Sequence, residues 1–285
     1  MSKKYIEISK SFYIGPDFEQ PFKKLGLSSI DAVFSFNTAK KLNKKNLASF
    51  RSRLEFEVKS IENSRPVTLF LKRYNNPPVP VQLKNWLAAH GRKSCALLEF
   101  EAAANLKEAG INTPKTICFG EQWGTLFEKR SFFITEKIPD AEALERKLPD
   151  YFNGQETAEN LKRRRKFIAQ LAVFVKKFHE TNYRHRDLYF SHIFYTGNDD
   201  FYLIDLARAF RPILLARRYQ IKDLAQIYYS APGSHFSRTD RLRFYLSYTG
   251  RQKLTGTDKT FIRKILKKVK QIARHNRRKY DVRYK

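Results

Sequence analysis

The stretch "NYRHRDLYFSHIFYTGNDDFYLIDLARAF", residues 182–210, decides the fold. The tripeptide His185-Arg186-Asp187 places a carboxylate on a loop. "HIFY" (192–195) and "FYLID" (201–205) are apolar runs flanking the turn-like "TGNDD", so together they read as a β-hairpin. The second strand of that hairpin brings Asp205 back beside the loop that carries Asp187. Two facing carboxylates repel when unpaired, so a chain with no use for them has no physical reason to keep both.

Phosphoryl transfer asks for this set. It needs a positioned hydroxyl, metal ions bridging the phosphates, and cations holding the nucleotide in line. Asp187 is placed to accept the proton of an acceptor hydroxyl, and Asp205 to bind the metal. Their separation of 18 residues is similar to that of the two aspartates of protein-kinase-like folds. Two positions depart from the usual kinase pattern. His192 stands where a metal-binding asparagine is expected, and Ala207 stands where a glycine follows the second aspartate.

Upstream, "RLEFEV" (53–58) and "VTLFLKRY" (67–74) alternate as strands do, and with "DAVFSF" (31–36) they predict a three-stranded antiparallel meander. Prolines 77, 78 and 80 make "NNPPVPV" a loop. A helix is expected over 93–109, with Gly110 as its C-cap, and further strands at 115–119 and 131–138. The polar run after residue 138 is the expected boundary between an N-lobe, 1–138, and a C-lobe, 139–285. The C-lobe reads as helices at 158–180, 220–230, 236–249 and 260–275. The predicted class is α+β and bilobal, protein-kinase-like: an antiparallel sheet with one helix, then mainly helices.

Within the N-lobe, Lys72 lies inside a β-type run with apolar neighbours and is the candidate contact for the α- and β-phosphates of ATP. A helical glutamate should hold it. Glu99 and Glu101 both flank the apolar stripe of the 93–109 helix at similar angles, and helical phase does not choose between them.

Composition bounds the rest. The chain has 285 residues, 42% apolar and 14% aromatic, enough for a substantial core. Cys95 and Cys118 form no disulfide framework and no zinc spacing, which fits a reducing, cytoplasmic compartment. No secretory leader and no run of 18 apolar residues is expected. Lys and Arg number 56 against 28 Asp and Glu, a net charge of +28. That excess points to an anionic partner, whether nucleic acid, an acidic membrane surface or a phosphorylated substrate.

The motifs narrow this choice. "HRDLYFSHIF" and "IDLARAF" resemble the lipopolysaccharide kinase family, whose catalytic loop reads HRD-x-Y-x-x-H and is followed by I-D-L-x-R. "LEFEAAANLKEAGINTP" resembles the family's N-lobe helix, and this likeness selects Glu99. "KDLAQIYYS" and "DRLRF" resemble its C-lobe segment, where Asp223 would brace the catalytic loop through backbone bonds. The likeness runs from about residue 30 to residue 250. It implies ATP-dependent phosphorylation of a sugar hydroxyl, foremost the first heptose of the lipopolysaccharide inner core. The acceptor would be lipid-linked, the protein peripheral on the cytoplasmic face of the anionic inner membrane, and no nucleic acid is expected. The backbone of Glu136 and Ile138 would contact adenine.

No G-x-G-x-x-G occupies the first hairpin. Lys44, Lys45 or Arg51 would hold phosphate there instead, unless the loop is simply solvated. The metal is expected to be Mg²⁺, with Mn²⁺ as an alternative because imidazole suits it better. His192 either ligates this metal or bonds Asp187 or a phosphate. Ala207 removes the glycine that lets an activation segment flip, which predicts a constitutively assembled site. Two basic surfaces complete the picture. "KRRRK" (162–166) opposes a helix dipole, and 251–285 carries 14 Lys and Arg with an amphipathic helix, either interfacial or packed on the C-lobe. Competing readings are a kinase of the same fold acting on the octulosonic acid sugar (Kdo) or on a protein tyrosine, and an inactive basic binding protein.

Overall fold

The computed structural model describes residues 4–38, 40–42, 48–59, 66–152, 157–196, 198–231, 233 and 235–281, with backbone alone at 149–151 and 278–281. Two compact units divide the chain: Met1–Asn105 with Thr113–Pro139, and Leu106–Asn112 with Asp140–Lys285.

The first unit contains β1 (Ile6–Ser9), β2 (Phe12–Ile14), α1 (Pro16–Lys24), α2 (Ile30–Ser35), β3 (Lys40–Lys41), β4 (Arg51–Lys59), β5 (Pro66–Asn75), α3 (Val79–Ala89), most of α4 (Cys95–Glu108), β6 (Thr116–Trp123) and β7 (Glu128–Glu136). Its antiparallel sheet runs β1-β2-β6-β7-β5-β4-β3. The strong period of two in β4 and β5 sets the register, with Leu54 opposite Leu71 and Phe56 opposite Leu69. These side chains join Phe12, Phe22, Phe132 and Ile134 in a buried core on one face. Lys72 and Tyr74 alternate to the other face, where α4 packs.

The segment 31–36, expected as a strand, is helix α2. Ser29 caps it, its hydroxyl accepting from the Ala32 N–H at 3.1 Å, and Asp31 favours its first turn. Only Val33 of the helix is buried, so the apolar letters never formed a strand face. Buried Arg73 donates to the carbonyls of Val33 and Phe36 and fastens α2 to the sheet. The loop expected over 75–81 is shorter, because Pro80 falls in the first turn of α3, where its missing N–H costs nothing.

The helix expected at 93–109 forms as α4, with Gly110 left-handed (φ +77°) just beyond it. Its N-terminus is held from β7 and by Ser94. The Glu128 carboxylate accepts from Cys95 N–H (2.9 Å), Ser131 Oγ from Ala96 N–H (3.1 Å) and Ser94 Oγ from Leu97 N–H (3.1 Å). Three first-turn amides are thereby satisfied, and the azimuth of Glu99 is fixed.

The second unit contains β8 (Glu142–Ala143), α5 (Leu144–Tyr151), α6 (Ala158–Glu180), β9 (Ile193–Tyr195), β10 (Phe201–Leu203), α7 (Ala216–Ser230), α8 (Arg238–Thr249) and α9 (Gly256–Asp281). The predicted hairpin is β9 and β10, paired antiparallel, and the Leu203 N–H donates to Asn112 O at 2.9 Å. All four predicted C-terminal helices form. The α9 stripe is packed in part: Phe261, Ile265 and Ile272 are buried, Leu266 is exposed, and Tyr245 donates to Asp258 at the helix start (2.9 Å). Of "KRRRK", Arg164 lies 3.5 Å from Asp240 and Lys166 2.7 Å from Asp199, so these two cations have internal partners. Among the described residues, no helix is long and apolar enough to cross a membrane.

Candidate active site

In the first unit, Lys72 on β5 pairs with the Glu99 carboxylate, whose other oxygen accepts from Tyr74 OH at 2.8 Å. Glu99 is 2% exposed. Glu101 is engaged elsewhere, with Lys93. The structure therefore separates the two glutamates that helical phase left equal, and it adds Tyr74, which sequence reasoning missed. Two residues apart on a strand, Lys72 and Tyr74 share a face and hold one carboxylate between them. Ile138 is buried, and the Glu136 N–H donates to the Lys115 carbonyl (2.9 Å). Lys44 lies outside the described residues.

In the second unit, the loop 182–192 is built on α7. Asp223, wholly buried, accepts from His185 N–H (2.8 Å) and Arg186 N–H (2.7 Å). Gln226 accepts from Leu188 N–H and donates to the Arg186 carbonyl, both at 3.0 Å. Ser230 Oγ accepts from Phe190 N–H at 3.0 Å. Asp223, Gln226 and Ser230 fall at i, i+3 and i+7 on one helix face. Arg186 is left-handed (φ +69°), a conformation that costs a non-glycine residue roughly 1–3 kcal/mol. Bonds from α7 on both its amide and its carbonyl compensate, the second carbonyl donor being Lys222.

A buried chain supports Asp223 from below. Gln220 donates to Tyr248 OH (2.5 Å), Tyr248 lies 2.8 Å from His179 Nδ1, and His179 Nε2 faces Asp223 at 3.5 Å. Burial pushes the Tyr248 hydroxyl up to about 12, so it stays a donor. Burial likewise lowers His179 and His185 below the ordinary imidazole range, more than the neighbouring Asp223 raises them. Both histidines fold neutral, so on acidification the unfolded chain binds protons that the native chain refuses. Stability is therefore expected to fall as pH drops below about 6.5, by up to about 1.4 kcal/mol per pH unit for each histidine. Thermal melts from about pH 8 to about pH 5.5 check this, and His179→Gln should flatten the slope by about half.

Asp187 is presented by this braced loop. Its Oδ2 accepts from Arg208 at 2.7 Å and its Oδ1 lies 3.8 Å from Lys222 Nζ. Neither cation was singled out in the sequence. His192 Nδ1 lies 2.7 Å from the Asp187 carbonyl. A carbonyl only accepts, so Nδ1 carries the proton and the Nε2 lone pair points to Asp205 Oδ2, 3.7 Å away. That separation is too long for a hydrogen bond and suits a cation between imidazole and carboxylate. Among the described residues, no cluster of three or more His, Cys, Asp or Glu could hold a metal. With Asp205 and His192 as its protein ligands, a metal ion here fits the pattern in which substrate phosphates complete the shell. Asp205 is itself left-handed (φ +59°), held by Ile204, whose N–H donates to His192 O (3.1 Å) and whose carbonyl accepts from His185 Nε2 (2.9 Å).

Behind the loop, α6, α7, α8 and α9 line an apolar pocket of about 470 Å³, partly open to solvent, with Ile168, Leu171, Phe190, Leu224, Ile265 and Leu266 among its walls.

An antiparallel sheet carrying a Lys–Glu pair, with helices presenting an HRD loop and a second aspartate, defines a phosphotransferase of protein-kinase-like fold. More closely, the chain belongs to the lipopolysaccharide kinase (Kdo/WaaP) family, whose model matches residues 48–248. It is 28% identical to the lipopolysaccharide core heptose(I) kinase WaaP of Escherichia coli (strain K12) over 256 residues, 86% of this chain and 93% of that protein. It is 32% identical to the protein of the same description from Pseudomonas aeruginosa over 172 residues, 58% of this chain and 63% of that one. A solved structure, WaaP in complex with acyl carrier protein, superposes with a TM-score of 0.67 at 25% identity, covering 89% of this chain and 97% of that one.

Proposed function

We propose that this protein is an ATP-dependent kinase of the first inner-core heptose of lipopolysaccharide. The observation that carries the reaction type is the frame in which Asp187, His192 and Asp205 are fixed together by α7 and the β9–β10 hairpin. The acceptor is carried by the likeness to heptose(I) kinases along most of the chain.

In this reading Asp187 takes the proton of the acceptor hydroxyl as the oxygen attacks the γ-phosphorus, the bond to the β,γ-bridging oxygen breaks and ADP leaves, while Arg208 holds the carboxylate in place. Lys72, positioned by Glu99 and Tyr74, neutralises the α- and β-phosphates. With its N–H committed to Lys115, Glu136 offers adenine its carbonyl, and Ile138 its amide. Asp205 and His192 Nε2 would hold Mg²⁺ or Mn²⁺, whose charge would neutralise that of the nucleotide phosphates.

The test is transfer of labelled phosphate from ATP to truncated lipopolysaccharide cores. Transfer is expected to a core ending at the first heptose, and neither Asp187→Ala nor Asp205→Ala should support it. Wild-type signal no higher than these two variants would sink the reading.

The lipid anchor of such an acceptor and the net charge of +28 support peripheral placement at an anionic membrane. A second partner is favoured by the solved complex: an acyl carrier protein. The 470 Å³ apolar pocket could receive an acyl chain.

A further inference from the structure

The segment following the second aspartate ends in a feature that catalysis does not use. Ile213, Leu214 and Leu215 are 74%, 77% and 60% exposed, three consecutive large aliphatic side chains standing in water. Runs of this kind are a solubility error unless they have a function. Leu215 also occupies the N-cap of α7 in a left-handed conformation (φ +60°) and gives that helix no side-chain cap. A serine, asparagine or aspartate there would cap the helix, and asparagine or aspartate would also tolerate the backbone. Leucine is the wrong residue for folding on both counts.

The surroundings say what the run meets. From Leu206 to Lys222 there is no acidic residue, while Arg208, Arg211, Arg217, Arg218 and Lys222 are all cationic. Arg211 rests over the Tyr183 ring (4.6 Å) and Arg217 over Phe261 (4.8 Å), so both are held beside the tip. The tip is moored at each end to Arg184, the residue that precedes His185-Arg186-Asp187. Arg184 and Phe210 exchange backbone hydrogen bonds (2.9 and 3.1 Å), and Arg184 Nε donates to Ala216 O at 3.4 Å. A surface that binds at 213–215 is thus tied through Arg184 to the loop that carries Asp187.

We propose that residues 211–218 dock this kinase on an anionic bilayer, with Ile213, Leu214 and Leu215 entering the apolar layer and Arg211, Arg217 and Arg218 on the lipid headgroups. The inference rests on the reading that the acceptor sugar is lipid-anchored, and it supplies the element that brings Asp187 to it. A few aliphatic side chains ringed by arginines match an interfacial anchor. They are too small a patch for a stable protein interface, which needs about 1,000 Å².

Vesicle flotation of the full chain tests the proposal. Binding is expected to phosphatidylcholine vesicles containing phosphatidylglycerol, and far less to phosphatidylcholine alone. Ile213→Ser/Leu214→Ser, both at exposed positions, should weaken it roughly 100-fold, about tenfold per side chain. Leu214→Trp should show a blue-shifted emission with the anionic vesicles and none with acyl carrier protein. On the enzymatic side, the double variant should phosphorylate a deacylated, soluble core fragment as wild type does and lose transfer to the vesicle-embedded acceptor. Unchanged flotation of the double variant, or a blue shift with the carrier protein instead of vesicles, overturns the proposal. If wild type phosphorylates no core acceptor, soluble or embedded, the kinase reading fails, while flotation still decides the docking tip.

Discussion

Asp187→Asn is expected to lower kcat for transfer by about 10²–10⁴-fold, the range for loss of a positioned general base, while nucleotide binding is retained. The variant is chosen for its shape. An asparagine still offers Arg208 an oxygen where Oδ2 now accepts at 2.7 Å, so the loop has no reason to move. What is lost is the anionic oxygen proposed to take the proton. Asp205→Asn removes a different quantity, the carboxylate facing His192 that is proposed to hold the metal, and should weaken metal–nucleotide binding as well as kcat. The two losses should not multiply in the double variant, because residues acting as one unit are strongly non-additive. Steady-state kinetics and nucleotide titration by calorimetry, run on the same four proteins, separate these outcomes. A loss of kcat below about tenfold for Asp187→Asn would remove Asp187 from the role of base.

The parts of the molecule that were legible in sequence are those whose cause is local. The β9–β10 hairpin follows from two apolar runs and a polar turn, and the β4–β5 ladder from alternation over nine residues. The long helices announce themselves by stripes at helical spacing. Misreading began where a local signal competed with a cap. Residues 31–36 carry apolar letters, but Ser29 and Asp31 begin a helix, and the partner that fastens it, Arg73, is 40 residues from Val33.

The site divides along the same line. Asp187, His192 and Asp205 lie in one stretch and were found together. The choice of Glu99 over Glu101 needed a family likeness, because the deciding contact, Tyr74, comes from a strand 25 residues away. Arg208 and Lys222 reach Asp187 from 21 and 35 residues downstream. Each belongs to a quoted motif, the arginine of I-D-L-x-R and the lysine that opens "KDLAQIYYS", but nothing local ties either of them to Asp187. One further signal was present: Asp223, Gln226 and Ser230, polar at helical spacing between buried Leu224, Ala225 and Ile227. Polar residues spaced to face inward on a buried helix must find partners, and here the partners are the amides of the catalytic loop.

That brace yields the second large effect. Asp223→Ala leaves the N–H groups of His185 and Arg186 without the acceptor they now share, in a pocket where Asp223 and His185 are both fully buried. Each buried donor left unpaired costs about 1–3 kcal/mol, a large part of a stability of about 5–15 kcal/mol. His179 Nε2 loses the oxygen 3.5 Å away as well. A marked drop in melting temperature is therefore expected. Activity should fall further than stability explains, because Arg186 keeps its left-handed backbone only while α7 holds it on both sides. If Arg186 relaxes, Asp187 moves, and a displacement of about 1 Å costs on the order of 10²-fold in rate. Ser230→Ala provides the scale: it removes one acceptor, that of Phe190 N–H, from the far end of the same face. It should cost about 1–3 kcal/mol and leave kcat nearly intact, since Arg186 and Asp187 keep their own bonds. Melting curves together with kcat measured well below each variant's melting temperature distinguish a brace from a merely buried charge. An Asp223→Ala protein that melts early but turns over normally when folded would show that the loop holds its shape without α7.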